Sequence, residues 1–263
     1  MTRSGDKEVI AITIEQMKLL LGDRLAPLTT SMGFIQGDCV SVANKFIEWR
    51  KELKRRDHFI RKITHRKVSG NLEGVLRSLL PFKMISATRY LFVPTNGEWT
   101  AFFDNRYRGT DPTAISYLPE LLQSRSVWVV AKPHTLQSIG TSWRGRQGAL
   151  IIEVSGHEQR EWLNLIRKIR LENDMGKWHF ETFGEPFAFE ETQRYQAKRV
   201  RDRFDFDLLK QYLAELGLFP FEEIFYLPPS KSNAILVKTR TKKMWKNKNV
   251  SFEEARRLNG IED

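Results

Sequence analysis

The segment after the aromatic run at 99–103 contains the residues best suited to chemistry. Asp104 and Asp111 stand in it with two arginines and a tyrosine. A carboxylate beside guanidinium groups can form a catalytic pair or an anion site, although neighbours in a loop more often form a local ion pair. Asp111 before Pro112 is typical of a helix N-cap followed by a first-turn proline. We interpret the segment as a turn into a helix that exposes three candidate partner contacts: Arg106, Tyr107 and Arg108.

Acid–base or nucleophilic catalysis would usually require a histidine near a carboxylate or a nucleophile. The chain has five histidines, and none lies in an H-E-x-x-H, H-x-E…C-x-x-C or G-x-S-x-G arrangement. C-x-x-C pairs and the glycine-rich phosphate-binding motifs are also absent from the sequence, so we expect no metal and no cofactor. An enzyme whose site is assembled from separate segments is one hypothesis, with four candidate residues: Asp104, Arg108, His134 and Arg144.

A second informative loop, 140–148 (GTSWRGRQG), joins two apolar runs. Its glycines predict a flexible connection, and its arginines could cradle a phosphate, but no known phosphate-binding spacing is present. Tryptophan and arginine are enriched at binding hot spots. We therefore predict three further partner contacts in this loop: Trp143, Arg144 and Arg146.

The net charge is the largest departure from average composition. Lys and Arg number 43 against 32 Asp and Glu, which gives +11 and a pI near 9.8. Such a field favours an acidic partner, either a protein or nucleic acid. Three basic runs lie at 50–67, 198–203 and 238–249; such runs are usually solvated faces, but cations around a tryptophan can pair phosphates and stack a base. The candidate nucleic-acid contacts are Lys54, Arg55, Arg56, Arg61, Lys62, Lys242, Lys243, Trp245 and Lys246.

Composition predicts a folded protein of the cytoplasm. Hydrophobic residues make up 41% and charged residues 29% of 263 positions, as in an ordinary globular protein of one large domain or of one small and one larger domain. The single cysteine, Cys39, cannot form an internal disulfide and fits a small buried residue in a reducing compartment. We find neither a signal-peptide apolar core nor a run of about 18 apolar residues, so no transmembrane segment is expected.

Helical patterns dominate the first 82 residues. TIEQ at 13–16 matches a capping box before a helix to about Leu25. From Ser41 to Leu53 apolar residues recur at helical spacing, and Asn71 is the expected cap of a further helix ended by Pro81. We therefore predict an all-helical N-terminal segment over 1–82, which could pack on an α+β domain over 83–263.

After residue 83 the sequence period changes to that of strands. Aromatic and β-branched runs on either side of TNG predict a β-hairpin over 87–104. Further strands are expected at 126–132, 148–154, 177–183 and 233–239, the first two of them central because they are almost continuously apolar. The predicted fold class is α+β, with a mostly antiparallel sheet and flanking helices.

Helix starts are also legible in this part of the chain. Ser155 with Glu158 forms a capping box before a helix expected at 160–169, and Asp205 and Ser251 are expected to begin two later helices. Pro119 should kink or restart the helix that begins after Asp111, because proline lacks the N–H of an interior helical position.

Three hypotheses for function follow. The first is a non-catalytic protein-binding module, such as an immunity-type or inhibitor protein, that meets an acidic protein through basic and aromatic loops; no motif identifies that family. The second is nonspecific nucleic-acid binding, since no RNP motif, zinc-finger spacing or K homology loop accompanies the basic runs. The third is the enzyme with a scattered site.

Overall fold

The computed structural model describes residues 14–57, 59–140, 142–158, 164–229, 233–242 and 246–261. Its helices are α1 (Ile14–Met17), α2 (Cys39–Asp57), α3 (Leu72–Arg77), α4 (Pro112–Leu122), α5 (Phe206–Glu215) and α6 (Phe252–Leu258). Its strands are β1 (Ser31–Gln36), β2 (Ile60–Val68), β3 (Phe82–Lys83), β4 (Arg89–Pro94), β5 (Trp99–Asp104), β6 (Ser126–Lys132), β7 (Gln137–Ile139), β8 (Ser142–Arg144), β9 (Ala149–Ser155), β10 (Leu165–Asp174), β11 (Lys177–Phe183), β12 (Ala234–Thr241) and β13 (Asn249–Val250).

A nine-stranded sheet organises this part of the chain. Its strand order is β11-β10-β9-β6-β1-β5-β4-β12-β2, and every neighbouring pair is antiparallel. The α+β class with an antiparallel sheet is therefore confirmed. The predicted hairpin is β4–β5, and the other four predicted strands are β6, β9, β11 and β12. As expected from their continuous apolar runs, β6 and β9 are interior neighbours.

Hydrophobic clusters cover both faces of the sheet. On one face lies the cluster that α2 and α4 share, in which the ring of Phe46 from α2 lies 5.3 Å from that of Phe92 and 6.0 Å from that of Phe102. The other face carries the larger cluster, which includes α3, α5 and Phe103. Successive residues of β5 point to opposite faces, so Phe102 and Phe103 serve different clusters.

Local cap chemistry determines where four helices begin. The side chains of Asn71, Asp111, Asp205 and Ser251 each accept a hydrogen bond from a first-turn backbone N–H, as predicted. Helix α4 nevertheless continues through Pro119 to Leu122. The carbonyl of Ile115, which proline leaves without its helical donor, accepts from Ser126 Oγ at 2.6 Å instead.

The prediction of an all-helical N-terminal segment is wrong. Strands β1 and β2 both fall within the first 82 residues and pair in the main sheet with β5, β6 and β12. At the sheet's edge β2 exposes side chains on both faces, so it has no buried alternation to reveal it. The helix expected to reach Leu25 is the short α1 followed by a 3₁₀ turn, Leu20–Asp23; the cap proposed at Thr13 lies outside the described residues.

The helix predicted at 160–169 is also corrected. Ser155 ends β9, and β10 begins at Leu165 and pairs with β9 and β11; residues 159–163 lie outside the described part. Alternate residues of β10 are buried, and Arg167 occupies one of these positions. A buried arginine hid the strand periodicity, because a charged residue suggests an exposed position.

Arg167 is buried through an ion pair with Glu190. Their side chains are 2% and 0% exposed, and Arg167 donates from Nε and Nη2 to the two carboxylate oxygens at 2.8 and 2.5 Å. Tyr195 also donates to Glu190 at 2.8 Å, and Arg167 Nη1 donates to the carbonyls of Phe183 and Gly184. This network attaches the segment after β11 to the sheet.

Replacing Glu190 with Ala should lower the free energy of unfolding by about 3 to 5 kcal/mol, because it leaves a buried guanidinium unpaired. The matched control is Glu181→Ala. Glu181 pairs with Lys168, which lies on β10 next to Arg167, but Glu181 is 56% exposed. This control should lower the free energy of unfolding by less than about 1 kcal/mol. Urea unfolding measures both. Equal effects would contradict the role of burial.

Candidate anion-binding site

Pairing of β2 with β12 brings two of the basic runs together. Lys62 stands opposite Arg240 and Thr64 opposite Lys238, although these segments are far apart in the sequence. Just beyond the strand ends, the backbone N–H of Lys242 donates to the carbonyl of Phe59 at 2.8 Å. The parts of the two runs that lie on β2 and β12, residues 60–67 and 238–241, are therefore neighbours near one edge of the sheet.

A concave pocket of about 540 Å³ lies near this edge of the sheet. Four neutral residues, Thr88, Thr239, Thr241 and Asn247, contribute to its lining. The remaining lining residues are all cations: Arg61, Lys83, Arg89, Lys238, Arg240 and Lys242. Among the described residues no carboxylate lines the pocket, and none of these cations forms an ion pair with a described acidic side chain. We call it the basic pocket.

The cations of the basic pocket repel one another. Burial and the charge of Arg66 both lower the pKa of Arg89. Burial, Arg89 and Arg66 lower the pKa of Lys238 in the same way. A bound anion would relieve this repulsion, and an arginine keeps its proton in proteins, so Arg89 provides a permanent charge.

Asparagine side chains hold the backbone that frames the basic pocket. Asn247 Oδ1 accepts from the N–H groups of Ile85 and Ser86 at 3.1 and 3.2 Å. Asn105 Oδ1 accepts from those of Thr88 and Arg89 at 2.8 and 3.0 Å. Because these bonds fix the chain on either side of residue 87, the position of Arg89 is set before any ligand arrives.

The structure unites only some of the candidate nucleic-acid contacts. Arg61 and Lys242 line the basic pocket, and Lys62 is exposed on β2 beside it. Lys54, Arg55 and Arg56 form the basic last turn of α2, where Arg56 pairs with Glu52 at 2.5 Å. Lys246 follows β12 in the chain, and Lys243 and Trp245 lie outside the described residues.

Sequence reasoning did not single out several pocket residues. Lys238 and Arg240 stood in a noted basic run without being selected, and Lys83 and Arg89 stood outside every basic run. The register of β4, β12 and β2 brings them together: Arg89 is opposite Lys238, and Lys238 is opposite Thr64. Strand pairing is the signal that could have found them.

The six candidate partner contacts differ in accessibility. Arg106 pairs with Asp111, and Arg108 donates to the Tyr107 hydroxyl at 2.7 Å. Trp143 is 43% exposed, and Arg144 beside it is exposed. Arg146 differs, because it is 6% exposed and donates to buried Asp23 at 2.6 Å. Its guanidinium is thus engaged inside the protein.

Two further concave surfaces meet near the end of α6. Trp143 and Arg144 line one of about 670 Å³ together with Glu253 and Leu258. The second, of about 360 Å³, is lined by three cations, among other residues: Arg108, Lys132 and Arg146. Both surfaces include Gly145, Leu258, Gly260 and Ile261, so the predicted contacts at 108 and 143–146 are neighbours.

Asp104 lies at the end of β5 and is 3% exposed. Its carboxyl oxygens accept from the backbone N–H groups of Arg106 at 2.8 Å and Asp111 at 3.1 Å. Burial nevertheless raises the pKa of Asp104 to about 7, against the lowering effect of these two bonds. Asp104 therefore titrates near neutral pH.

The other candidates of the enzyme hypothesis do not contact Asp104 through any hydrogen bond or ion pair in the described chain. His134 Nδ1 accepts from the N–H of Gly148 at 3.2 Å, and its ring packs 5.1 Å from that of Trp178. Burial and the charge of Arg201 lower the pKa of His134. The described histidines form no ion pair with a carboxylate, and among described side chains no group of three or more His, Cys, Asp or Glu could hold a metal.

No protein-family model matches the chain, and no curated protein or solved structure matches it either. Across the described ranges, no helix combines the length and apolar character needed to cross a membrane.

Asp104→Asn should change how stability depends on pH. Because the pKa of Asp104 rises from 3.8 to about 7 in the fold, the folded protein retains a proton that the unfolded chain has already lost between those values. The free energy of unfolding of the native protein should therefore fall as pH rises from 4 to 7 and level off above 7.

Urea unfolding at pH 4 to 8 should show that the free energy of unfolding of the native protein falls by up to about 4 kcal/mol relative to that of Asp104→Asn. This is the equivalent of a shift of about three pKa units. A constant difference between the two proteins across this range would show that Asp104 titrates as an ordinary carboxylate.

Proposed function

We propose that the protein binds nucleic acid nonspecifically, with the phosphate backbone held in the basic pocket. The observation that carries this proposal is the convergence of six cations, with no carboxylate among the described lining residues. Neutralisation of phosphates by such cations releases counterions and supplies most of the free energy of nonspecific nucleic-acid binding.

The identity of the cations also suits phosphate. Arg61, Arg89 and Arg240 present planar guanidinium groups that can donate two parallel hydrogen bonds to one phosphate. Lysines beside them add point charges of the same sign. The side-chain amides of Asn105 and Asn247, which frame the pocket, donate to backbone carbonyls of the protein. These amides are therefore already engaged and do not serve to recognise a base. Backbone recognition without base selection is what this arrangement favours.

Oligonucleotide binding across a salt series tests the proposal. Fluorescence anisotropy with a labelled deoxythymidine oligomer should show log affinity falling linearly with log salt. The double variant Arg61→Gln/Lys242→Gln should reduce that slope by about 1.4 and weaken binding about tenfold or more at low salt, because each phosphate contact on a single strand contributes about 0.7.

The matched control removes two positive charges near the opposite edge of the sheet. Lys198 and Arg199 are exposed, and the turn that follows them packs near β11, the strand at the other edge. Lys198→Gln/Arg199→Gln should leave the slope within about half a unit of the native value. Equal losses from both double variants would indicate diffuse attraction, and a flat salt series would reject nucleic-acid binding.

A second candidate function is binding of an acidic protein through the surface around Trp143, as an immunity-type or inhibitor protein would do. The exposed ring of Trp143 at the rim of a concave surface with Arg144 and Leu258 favours it. An aromatic side chain with a neighbouring arginine is the usual composition of an interface hot spot.

Trp143→Ala/Arg144→Ala tests this second candidate. Affinity purification of the native protein from its host should recover one stoichiometric protein with an acidic surface, and the double variant should lower its recovery at least tenfold, in line with a loss of about 2 kcal/mol. The double variant removes one positive charge that lies outside the basic pocket, so its oligonucleotide affinity should change only slightly. Undiminished recovery with the variant would exclude this surface as the interface.

A further inference from the structure

A separate cavity lies on the α2 side of the sheet. It has a volume of about 190 Å³, smaller than a typical drug-sized pocket of about 300 to 1,000 Å³. Aromatic and charged side chains both line it; the residues used below are Phe46, Trp49, Arg50, Tyr90, Asp104 and Asp111. The described residues that line this cavity do not line the basic pocket. A ligand proposed for the cavity therefore does not depend on the proposed binding of nucleic acid.

Arg50 is the unusual residue of this cavity. Its guanidinium carbon lies 5.4 to 5.9 Å from the ring centroids of Phe46, Trp49 and Tyr90. In the described part of the protein Arg50 forms no ion pair with a carboxylate, and its buried Nε has no hydrogen-bond acceptor. The Nε atom itself is inaccessible, so a ligand oxygen in the cavity can reach this guanidinium only through its two Nη groups, which form no hydrogen bond within the described residues.

The remaining charges of the cavity leave its positive side unbalanced. Arg106 and Asp111 neutralise each other in an ion pair. Asp104 uses one position on each oxygen to accept a backbone N–H, and a carboxyl group has further positions for a proton. With its pKa raised to about 7, Asp104 can donate a hydrogen bond at slightly acidic pH. The lining of the cavity thus includes two side chains that can donate to a ligand oxygen, the Arg50 guanidinium and protonated Asp104.

We propose that this cavity binds a small aromatic carboxylate. The ligand's carboxylate would accept from Arg50 and Asp104, and its ring would lie against Trp49 and Tyr90. A ring of this size with one carboxylate matches the small volume, and the rings that already hold Arg50 in place provide the apolar wall.

The pH dependence follows from the groups that face Asp104. Asp111 raises and Arg106 lowers the pKa of Asp104, Tyr90 stands opposite Asp104 in the sheet, and Arg50 of α2 lines the same cavity. Loss of the Asp104 proton removes a donor and places a negative charge beside the ligand carboxylate, which is ionised at pH values well above about 4. Affinity should therefore decrease about tenfold for each pH unit above 7.

Titration with 4-fluorobenzoate, followed by ¹⁹F NMR at pH 6, 7 and 8, tests the proposal on the full chain. The native protein should bind at pH 6 and lose at least about fivefold in affinity by pH 8. Asp104→Asn, which keeps an uncharged donor, should bind with little pH dependence. The neutral analogue 4-fluorobenzamide should bind at least tenfold more weakly than the acid.

Variants of the cavity wall complete the experiment. Arg50→Met should weaken 4-fluorobenzoate binding at least tenfold, whereas Lys51→Met, an exposed change in the same helix, should not alter it. Ala114→Met fills the cavity from α4 and should also abolish binding, so the result does not depend on the folding of one variant. Absence of binding at pH 6, equal binding of the amide, or unchanged binding by Arg50→Met and Ala114→Met would overturn the proposal.

Discussion

The antiparallel register between β2 and β12 is the constraint on which the basic pocket depends. It sets Lys62 against Arg240 and Thr64 against Lys238, and the neighbouring register of β12 with β4 adds Arg89. A slip of one residue would turn each of these side chains to the other face of the sheet. Burial of Val237 and Ile235 in the α2 cluster opposes such a slip, so hydrophobic packing on one face fixes the charged arrangement on the other.

Edge protection alone does not account for these charges. Lysine and arginine on an exposed edge strand discourage pairing with other chains, and this explains the charges of β2. Arg89 and Lys238, however, belong to β4 and β12, which have neighbours on both sides. The repulsion between these two cations destabilises the protein without a ligand, whereas a bound anion would attract both of them. That difference favours a binding role for the pocket over a purely protective one.

Features encoded within a few residues were predictable from the sequence. The caps at Asn71, Asp111, Asp205 and Ser251 and the β4–β5 hairpin rest on local hydrogen-bonding and turn chemistry. Strands whose side-chain environment is atypical were not predictable: β2 is exposed on both faces, and β10 buries an arginine whose partner is more than twenty positions away. In both cases long-range pairing overrode the local pattern.

The candidate functional residues divide in the same way, into those that neighbouring residues reveal and those that only long-range packing reveals. Asp104 could be selected from its sequence neighbours, because a carboxylate that follows a strand and precedes two arginines is suggestive on its own. Arg50 could not, since a cation in a basic helix is ordinarily solvated, and only the packing of α2 against Tyr90 shows it among aromatic rings. Arg146 shows the reverse error: a loop arginine expected at the surface pairs with buried Asp23, which the sequence places 123 residues away.

Backbone NMR of the ¹⁵N-labelled protein during titration with a deoxythymidine oligomer would test the central claim most directly. If strand pairing creates one anion site, amide shifts should change together, with a single midpoint, at residues 60–62, 88–89 and 238–242. Shifts confined to the end of α2 or to the loop at 142–146, with those three segments unchanged at saturation, would contradict the account.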